Sequence, residues 1–190
     1  MRIAIIGTGN IGGSLGTKWS AAGHEVIFGG RAASADGPGG APVTSVADAL
    51  SGADVVLLAV PGPAVAEVVG DNATALAGKV IIDATNRIGA PEFNSRAAVI
   101  SGAPDAKYAR AFNSLGWENL VEPPLGADMF FAADAGARAA VEELITATGL
   151  GPVYVGDGDA ARTVDGLLPL WFALVQQSGG NRKLAFRVVR

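Results

Sequence analysis

Three glycines near the start of the chain have the spacing at which a protein backbone can bind a phosphate. They occur in Gly7-Thr-Gly-Asn-Ile-Gly12, directly after the apolar segment Arg2-Ile-Ala-Ile-Ile6. In this G-x-G-x-x-G pattern the first glycine permits a tight turn, the second lets a pyrophosphate approach the backbone, and the third allows a helix to pack closely on a strand. The helix that follows would direct free N–H groups and the positive end of its dipole at the anion. The pattern therefore predicts dinucleotide binding. The alternative is that these are turn glycines without a ligand, in a chain that has 27 glycines.

The end of the second apolar segment, Val26-Ile-Phe28, indicates which dinucleotide would bind. Chains that bind NAD usually have Asp or Glu there, because a carboxylate accepts hydrogen bonds from the ribose 2′-hydroxyl. Gly30 and Arg31 stand there instead. A guanidinium can bind the 2′-phosphate that a carboxylate would repel. We therefore predict a preference for NADP(H), with Ser34 as a further contact; a solvated surface arginine is the alternative for Arg31.

Further candidate contacts lie where other strands end. In an open α/β sheet, ligands bind beyond the carboxyl ends of the strands, at the point where the strand order reverses. Pro61 would fix the backbone beside the nicotinamide ribose, or it merely ends a strand. Asn86 would bind the carboxamide or a substrate, or it merely forms a turn. The complete set of predicted cofactor contacts is Gly7, Thr8, Gly9, Asn10, Ile11, Gly12, Arg31, Ser34, Ala59, Val60, Pro61, Ala84 and Asn86.

The elements that would position these residues alternate along the chain. Apolar segments predict strands at 2–6, 26–28, 54–60, 79–83, 106–112, 128–132 and 152–155, and helices are predicted at 14–22, 45–50, 64–77, 92–100, 137–148 and 160–177. This alternation predicts an α/β fold of the Rossmann type, with a doubly wound, mostly parallel sheet. Because no repeat or linker is visible, we predict a single NADP-binding domain over residues 1–190. Its C-terminal helical segment, about residues 160–190, would complete the substrate site.

The composition excludes several classes of function. The chain has no cysteine and one histidine, so disulfides, thiolate metal sites and His-rich zinc sites are excluded, and we predict no metal. The net charge of −4 argues against nucleic acid as a partner. No segment reaches the roughly 18 to 20 apolar residues that cross a bilayer. We therefore expect a cytoplasmic protein whose partner is a small molecule, without a membrane or nucleic-acid role.

The C-terminal residues combine basic and apolar side chains. Four basic residues lie between 182 and 190 with no acidic residue among them. They form either a solvated tail or a contact for an anionic ligand. The apolar residues 184–186 and 188–189 lie between them and predict an exposed strip, and hence a homodimer contact.

Three further segments carry a family resemblance. They are His24-Glu-Val-Ile-Phe-Gly-Gly-Arg31, Ala111-Phe-Asn-Ser-Leu-Gly116 and Ala161-Arg-Thr-Val-Asp-Gly-Leu-Leu-Pro-Leu-Trp171. With the opening glycine motif, they make nearly the whole chain resemble the NADP oxidoreductases that depend on the deazaflavin coenzyme F420, and the related cytosolic reductase domain of the STEAP metalloreductases. The last segment is the most specific, because general dinucleotide-binding domains lack it. The chain departs from the family at Gly30, where members often have Ser, and around Asn113, where it is more similar to the STEAP-like branch.

The resemblance implies an enzyme that transfers a hydride to or from NADP(H), with the second redox partner stacked on the nicotinamide. Such a reaction needs little acid–base help from the protein, and no catalytic residue is assigned. We predict that Asn113, Ser114 and Leu115 form the floor beneath an F420 or flavin ring. The alternatives are NADPH-dependent reduction of a small imine or carbonyl compound, and a non-catalytic module that senses NADP.

Two further predictions concern the C-terminal segment. Trp171, with Phe112 and Phe172, would shield the acceptor ring from water, although ordinary core packing is the alternative for the two phenylalanines. Arg162 would contact an anionic group of the substrate, or it pairs with Asp165 on the helix surface.

Overall fold

The computed structural model describes residues 1–189, and its eight strands form one sheet in the order β3-β2-β1-β4-β5-β6-β7-β8. The strands are β1 (Arg2–Ile6), β2 (Glu25–Gly29), β3 (Val43–Thr44), β4 (Val55–Leu58), β5 (Val80–Asp83), β6 (Lys107–Arg110), β7 (Asp128–Ala133) and β8 (Gly151–Gly156). Neighbouring strands pair in parallel except for β6 and β7. The predicted doubly wound, mostly parallel α/β fold is confirmed. Its strand order reverses between β1 and β4, which places the ligand crevice there.

Helices cover both faces of this sheet. They are α1 (Asn10–Ala21), α2 (Val46–Leu50), α3 (Val65–Asp71), α4 (Ala73–Leu76), α5 (Arg96–Gly102), α6 (Glu118–Val121), α7 (Arg138–Thr146), α8 (Ala161–Asp165) and α9 (Leu167–Gln177). Side chains alternate across β1, so Ile3 and Ile5 face the core beneath α1 and α7, whereas Ala4 and Ile6 face the core beneath α2, α3 and α5. Within the described residues, no helix combines the length and the apolar character that a membrane span requires.

The structure corrects two long predicted helices. The predicted helix 64–77 is divided at Asn72, whose side chain donates a hydrogen bond back to the Val68 carbonyl. The predicted helix 160–177 is divided at Gly166. Pro169 lies in the first turn of α9, where the missing N–H is tolerated, but it cannot continue the hydrogen bonds of a preceding helix.

Smaller corrections concern the ends of elements. The predicted helix 92–100 begins later, at Arg96, and the predicted strand 106–112 ends at Arg110. The loop 32–42 contains a 3-10 turn at Pro38–Gly40, and the short strand β3 that follows it was not predicted. Ser45 caps α2, with its side chain accepting a hydrogen bond from the Asp48 N–H.

Candidate functional site

Two glycines of the opening motif are required by the packing of the protein itself. Gly7 has a φ of +116°, and a Cβ there would lie 2.5 Å from the Ala59 carbonyl oxygen. A Cβ on Gly12 would overlap the Gly7 carbonyl oxygen, because α1 lies directly against the turn after β1. Both positions therefore need glycine whether or not a ligand binds.

Gly9 is different, because neither its backbone angles nor the described neighbouring atoms require a glycine there. Its φ of −71° and ψ of −172° are open to any residue, and a Cβ would meet no atom within 4 Å. Gly9 is the N-cap of α1, and no side chain caps this helix. The first-turn N–H groups of α1 thus face an open space that a side chain on Gly9 would partly fill.

Two cavities adjoin Gly9. The central cavity has a volume of about 410 Å³ and lies at the carboxyl ends of β1, β4 and β5. It is lined by Gly9, Asn10, Ile11, Ala59, Val60, Pro61, Ala84, Thr85, Asn86, Asn113, Leu115, Trp117, Leu168, Trp171, Phe172 and Arg182. The α1 cavity, of about 460 Å³, lies between α1, the turn at Pro38–Gly40 and α6. Gly9, Asn10 and Trp117 line both cavities, so the two spaces meet at the start of α1.

The central cavity brings together most of the residues predicted from the sequence. From the predicted cofactor contacts it includes Gly9, Asn10, Ile11, Ala59, Val60, Pro61, Ala84 and Asn86, and from the predicted substrate contacts it includes Asn113, Leu115 and Trp171. Thr8 lines the α1 cavity instead. Phe172 also lines the central cavity and is 44% exposed, so it is not an ordinary core residue.

Besides Gly7 and Gly12, four predicted site residues lie outside both cavities. Arg31 is exposed just beyond the end of β2, and Ser34 forms an isolated bridge with Val43. Ser114 is buried beneath the cavity floor without lining it. Arg162 is exposed on α8 and pairs with Glu92. The predicted pairing of Arg162 with Asp165 is wrong, because Asp165 faces the interior and is only 6% exposed.

Phe112 packs in the core, as the alternative interpretation proposed, but its backbone is unusual. It contacts Trp19 edge to face at 5.8 Å between ring centroids. Among the described non-glycine residues it alone has a positive φ, of 61°. This left-handed conformation costs about 1–3 kcal/mol and persists only where the surroundings impose it. It turns the chain at the end of β6 and brings Asn113 to the cavity.

A buried network of charges lies behind the cavity, and the sequence interpretation missed it. The Arg110 guanidinium is fully buried and donates to Asp165 Oδ1 from Nε at 2.8 Å, with Nη2 at 2.7 Å from the same oxygen. Its Nη1 lies 3.4 Å from Asp83 Oδ1 and also donates to the backbone carbonyls of Asp83 and Thr85. Arg110 therefore ties α8 to the loop after β5, which carries the predicted cofactor contacts.

A signal for this network does exist in the sequence. Asp83 and Arg110 each end an apolar strand, and they are register partners across the parallel pair β5 and β6. Opposite charges at matching ends of two buried strands indicate an internal ion pair, because an unpaired charge there would be strongly destabilising. The third member, Asp165, gives no such signal, since its position depends on the break between α8 and α9.

Tyr108 adds a titratable hydroxyl to the same network. Its hydroxyl donates to Asp83 Oδ2 at 2.9 Å. Burial, and next the negative charge of Asp83, raise the pKa of the Tyr108 hydroxyl well above its ordinary value. Tyr108 therefore stays protonated and serves as a donor rather than as a base.

The amide of Asn86 is already engaged in this network. Its Oδ1 accepts from Arg110 Nη2 at 2.8 Å, and its Nδ2 donates to the Asn113 carbonyl oxygen at 2.9 Å. Asn86 lines the cavity, but its amide oxygen and one amide hydrogen hold the cavity wall together. This differs from the prediction, in which the Asn86 amide was free for the carboxamide or a substrate.

The C-terminal segment 181–189 packs back on the rest of the protein, and its Arg182 lines the central cavity. Arg182 pairs with Glu118 at 2.8 Å and lies 5.0 Å above the ring of Trp171. Lys183 bonds Glu122 at 2.6 Å and lowers the pKa of that exposed carboxyl. The basic residues 182 and 183 thus pair with acids at the start and just after the end of α6, and both side chains stay exposed. The apolar residues 184–186 pack against the core, so the prediction of an exposed strip is wrong for them. Arg190, the last of the four basic residues, lies outside the described residues.

Comparison with known proteins places part of the chain in a described family. Residues 2–87 match the family model described as NADP oxidoreductase, coenzyme F420-dependent. That range holds the glycine motif, Arg31 and the cavity residues up to Asn86. The predicted resemblance is confirmed, and the enzyme class that the family model describes, an NADP-dependent oxidoreductase, is the predicted one.

Solved structures extend the similarity to the whole fold. A candidate F420-dependent NADP-reductase from Arthrobacter sp. FB24 is 26% identical, with a TM-score of 0.85 and 100% of both chains covered. A hypothetical protein from Sinorhizobium meliloti is 28% identical, with a TM-score of 0.75, and 100% of this chain and 96% of that one are covered. A reductive aminase from Aspergillus terreus shares the fold at 21% identity and a TM-score of 0.68, over 94% of this chain and 62% of its own.

Proposed function

We propose that the protein transfers a hydride between NADP(H) and a deazaflavin such as coenzyme F420, or a flavin-like acceptor, within the central cavity. The observation that carries this proposal is the lining of that cavity. At one end of the cavity Gly9 leaves space at the start of α1, and at the other end aromatic side chains line the wall without a general acid or base. The dinucleotide would enter over Gly9, and the second ring would occupy the space beside Trp171 and Phe172.

The fit of the dinucleotide depends on Gly9 and Arg31. The space above Gly9 would take the pyrophosphate, which would accept hydrogen bonds from the first-turn N–H groups of α1. Arg31 has no hydrogen bond or ion pair with any described residue and lies beyond the end of β2, where the adenosine ribose is bound in this fold. Its guanidinium would therefore be available to the 2′-phosphate of NADP(H).

The described lining of the central cavity has no general acid suited to neutral pH, which supports an acceptor that does not need one. Its polar side chains belong to Asn10, Thr85, Asn86, Asn113, Trp117, Trp171 and Arg182, and Arg110 and Tyr108 are buried behind them. Reduction of a carbonyl group requires a proton at the developing alkoxide, which these groups are poorly suited to provide at neutral pH. In a deazaflavin the hydride adds to C5 and the negative charge spreads over N1 and the C2 carbonyl. That weakly basic group can take its proton from water, so a deazaflavin fits the lining better.

The protein's own contribution is to position and to shield. When bound, the nicotinamide supplies or accepts the hydride. Pro61 and the backbone at Ala84 limit the space at the carboxyl ends of β4 and β5, and Asn113 and Leu115 close the floor. Trp171 and Phe172, in contact at 5.3 Å between ring centroids, form a wall that excludes water. Holding two rings about 3 to 3.5 Å apart in this space is most of the catalysis that such a reaction needs.

Acceptor assays test the proposal directly. Addition of NADPH to F420 and the protein is expected to bleach the visible absorbance of the deazaflavin. Reaction with free flavins alone would retain hydride transfer but change the acceptor. Oxidation of NADPH only with imines or carbonyl compounds would contradict the proposal, and tight NADPH binding without oxidation by any acceptor would indicate a sensor.

We also propose that two copies associate through α9. Residues 167–175 of this helix are all apolar, and Leu170 and Leu174 are 49% and 43% exposed. Exposed apolar patches of this kind are typical of interfaces, and most soluble homo-oligomers are twofold symmetric. The cytoplasmic location predicted from the sequence stays a prediction.

A further inference from the structure

Asn113 has a polar atom that the protein leaves without a partner. Its side chain is only 2% exposed, and Oδ1 has no hydrogen-bond donor within reach among the described residues. A buried carbonyl oxygen that lacks a hydrogen bond is destabilising, because nothing replaces the hydrogen bonds that it makes to water when exposed. Asn113 lines the central cavity, and Oδ1 itself is closed to solvent. A ligand in that cavity would supply the missing hydrogen once the side chains that cover the oxygen move aside.

The other half of the same amide fixes its orientation. Asn113 Nδ2 donates to Asp165 Oδ1 at 3.2 Å. A carboxylate can only accept hydrogen bonds, so the amide must turn its nitrogen toward Asp165 and its oxygen away. Asp165 is itself held by two contacts from Arg110. The network therefore presents Asn113 as an acceptor, and polarisation by the carboxylate strengthens that character.

The neighbouring amide cannot take this role as readily. The Asn86 side-chain oxygen accepts a hydrogen bond from Arg110, and its amide nitrogen donates one hydrogen to the Asn113 carbonyl. Of Asn86 and Asn113, only Asn113 thus has an amide oxygen without a donor.

We propose that Asn113 Oδ1 accepts a hydrogen bond from the carboxamide N–H of the nicotinamide and so fixes the rotation of that ring. This inference rests on the proposed function, since it needs NADP(H) in the central cavity. Gly9 and the ends of β4 and β5 line the same cavity as Asn113. With the pyrophosphate over Gly9, the nicotinamide half of the dinucleotide would lie in this cavity and bring its carboxamide N–H near Asn113. Asp165 acts here as a positioning residue, through Asn113.

An analogue that lacks only the N–H tests the proposal without knowledge of the acceptor. In 3-acetylpyridine adenine dinucleotide phosphate a methyl ketone replaces the carboxamide, so the carbonyl is kept and the donor is lost. Calorimetry is expected to show that the wild-type protein binds NADP⁺ roughly three- to tenfold more tightly than the analogue, the range for one neutral hydrogen bond. In Asn113→Leu this ratio is expected to fall to about one.

Asn94→Leu is the matched control. Asn94 is also buried, its Nδ2 donates to the other oxygen of Asp165 at 2.7 Å, and it lines neither cavity. This variant removes the same kind of bond to Asp165, so it is expected to lose stability while keeping the wild-type ratio. Melting temperatures of both variants separate loss of folding from loss of recognition.

Three results would overturn the inference: equal binding of both nucleotides by the wild type, a ratio that survives in Asn113→Leu, or a ratio that is lost equally in Asn94→Leu. A rise in the acceptor KM of Asn113→Leu with an unchanged nucleotide ratio would assign the oxygen to the acceptor instead. Failure of the wild type to bind NADP⁺ at all would contradict the proposed function itself.

Discussion

At the scale of single residues, Gly9 and Gly12 belong to one turn but have opposite reasons to be glycine. Gly12→Ala would force a methyl group onto the Gly7 carbonyl, and such overpacking destabilises by about 1–3 kcal/mol. Gly9→Ala meets open space. Its effect on stability is expected to stay below about 1 kcal/mol, because a stiffer unfolded chain and a poorer N-cap act in opposite directions.

For NADP⁺ binding we expect a large effect from Gly9→Ala, although its effect on stability is small. The Gly9→Ala methyl group would occupy the space of the pyrophosphate, so we expect NADP⁺ affinity to fall roughly ten- to one-hundredfold. Urea unfolding and calorimetry on the same samples measure both effects. Gly70→Ala, a substitution in α3 that also meets open space, is the control and should bind normally. Normal NADP⁺ binding by Gly9→Ala would show that the pyrophosphate does not bind at this turn.

Arg31 carries the prediction on cofactor choice. Arg31→Ala is expected to weaken NADPH binding by about 1.5–3 kcal/mol, the scale of charge-assisted hydrogen bonds, and to leave NADH binding nearly unchanged. Arg138→Ala on α7, which breaks an exposed ion pair with Glu142, controls for the loss of a surface charge. Titrations with both nucleotides give the answer, and equal losses for NADPH and NADH would refute a contact with the 2′-phosphate.

The sequence predicts residues of this site where a local rule applies. Gly9, Pro61 and Asn86 could be placed because ligands bind at the carboxyl ends of parallel strands, and those ends are visible as the limits of apolar segments. Arg162 could not be placed, since its partner Glu92 is 70 positions away along the chain. The acceptor on Asn113 depends on Asp165 in the same way, through a contact that no local pattern encodes.

At the scale of elements, the link between β5, β6 and α8 makes the free energy of unfolding change with pH in the alkaline range. Burial raises the pKa of the Tyr108 hydroxyl in the folded protein. In the unfolded chain the same hydroxyl has the ordinary tyrosine pKa of about 10. The neutral phenol therefore contributes stability that is complete below about pH 10 and is lost as the pH rises above it, because only the unfolded chain then releases the proton.

Tyr108→Phe removes this dependence together with the hydrogen bond to Asp83. At pH 8 the variant is expected to be less stable than the wild type by about 1 kcal/mol or more. Above about pH 10 the difference should shrink. Urea unfolding at several pH values measures it, with Tyr154→Phe as the control at the other, half-buried tyrosine. A difference that stays constant or grows with pH would contradict the assignment.

The limits of elements were harder to predict than their order. The apolar pattern predicted one helix over 160–177. In the structure, Asp165 contacts Arg110 in the interior and Pro169 lies in the first turn of a new helix, so the chain breaks at Gly166. The strand β3 has only two residues, too few for an alternating pattern. Both features follow from packing against elements that are distant in sequence.

At the scale of the whole molecule, α9 is apolar on the side that faces solvent as well as on the side that faces the core. Leu168 and Trp171 are buried, whereas Leu170 and Leu174 are exposed. The two exposed leucines are four residues apart and so lie on the same face of the helix. Aspartate at both positions would place charges within the proposed interface, where an unpaired charge is strongly destabilising.

Sedimentation is expected to give twice the mass of the chain for the wild type, and the mass of one chain for the Leu170→Asp, Leu174→Asp double variant. Leu125→Asp is the matched control, because Leu125 is fully exposed but lies in the loop between α6 and β7. It should leave the mass unchanged. Since Phe172 of the same helix lines the central cavity, loss of association is also expected to raise the acceptor KM more than the Kd of NADPH. A wild-type protein that sediments as a single chain at micromolar concentration would refute this interface.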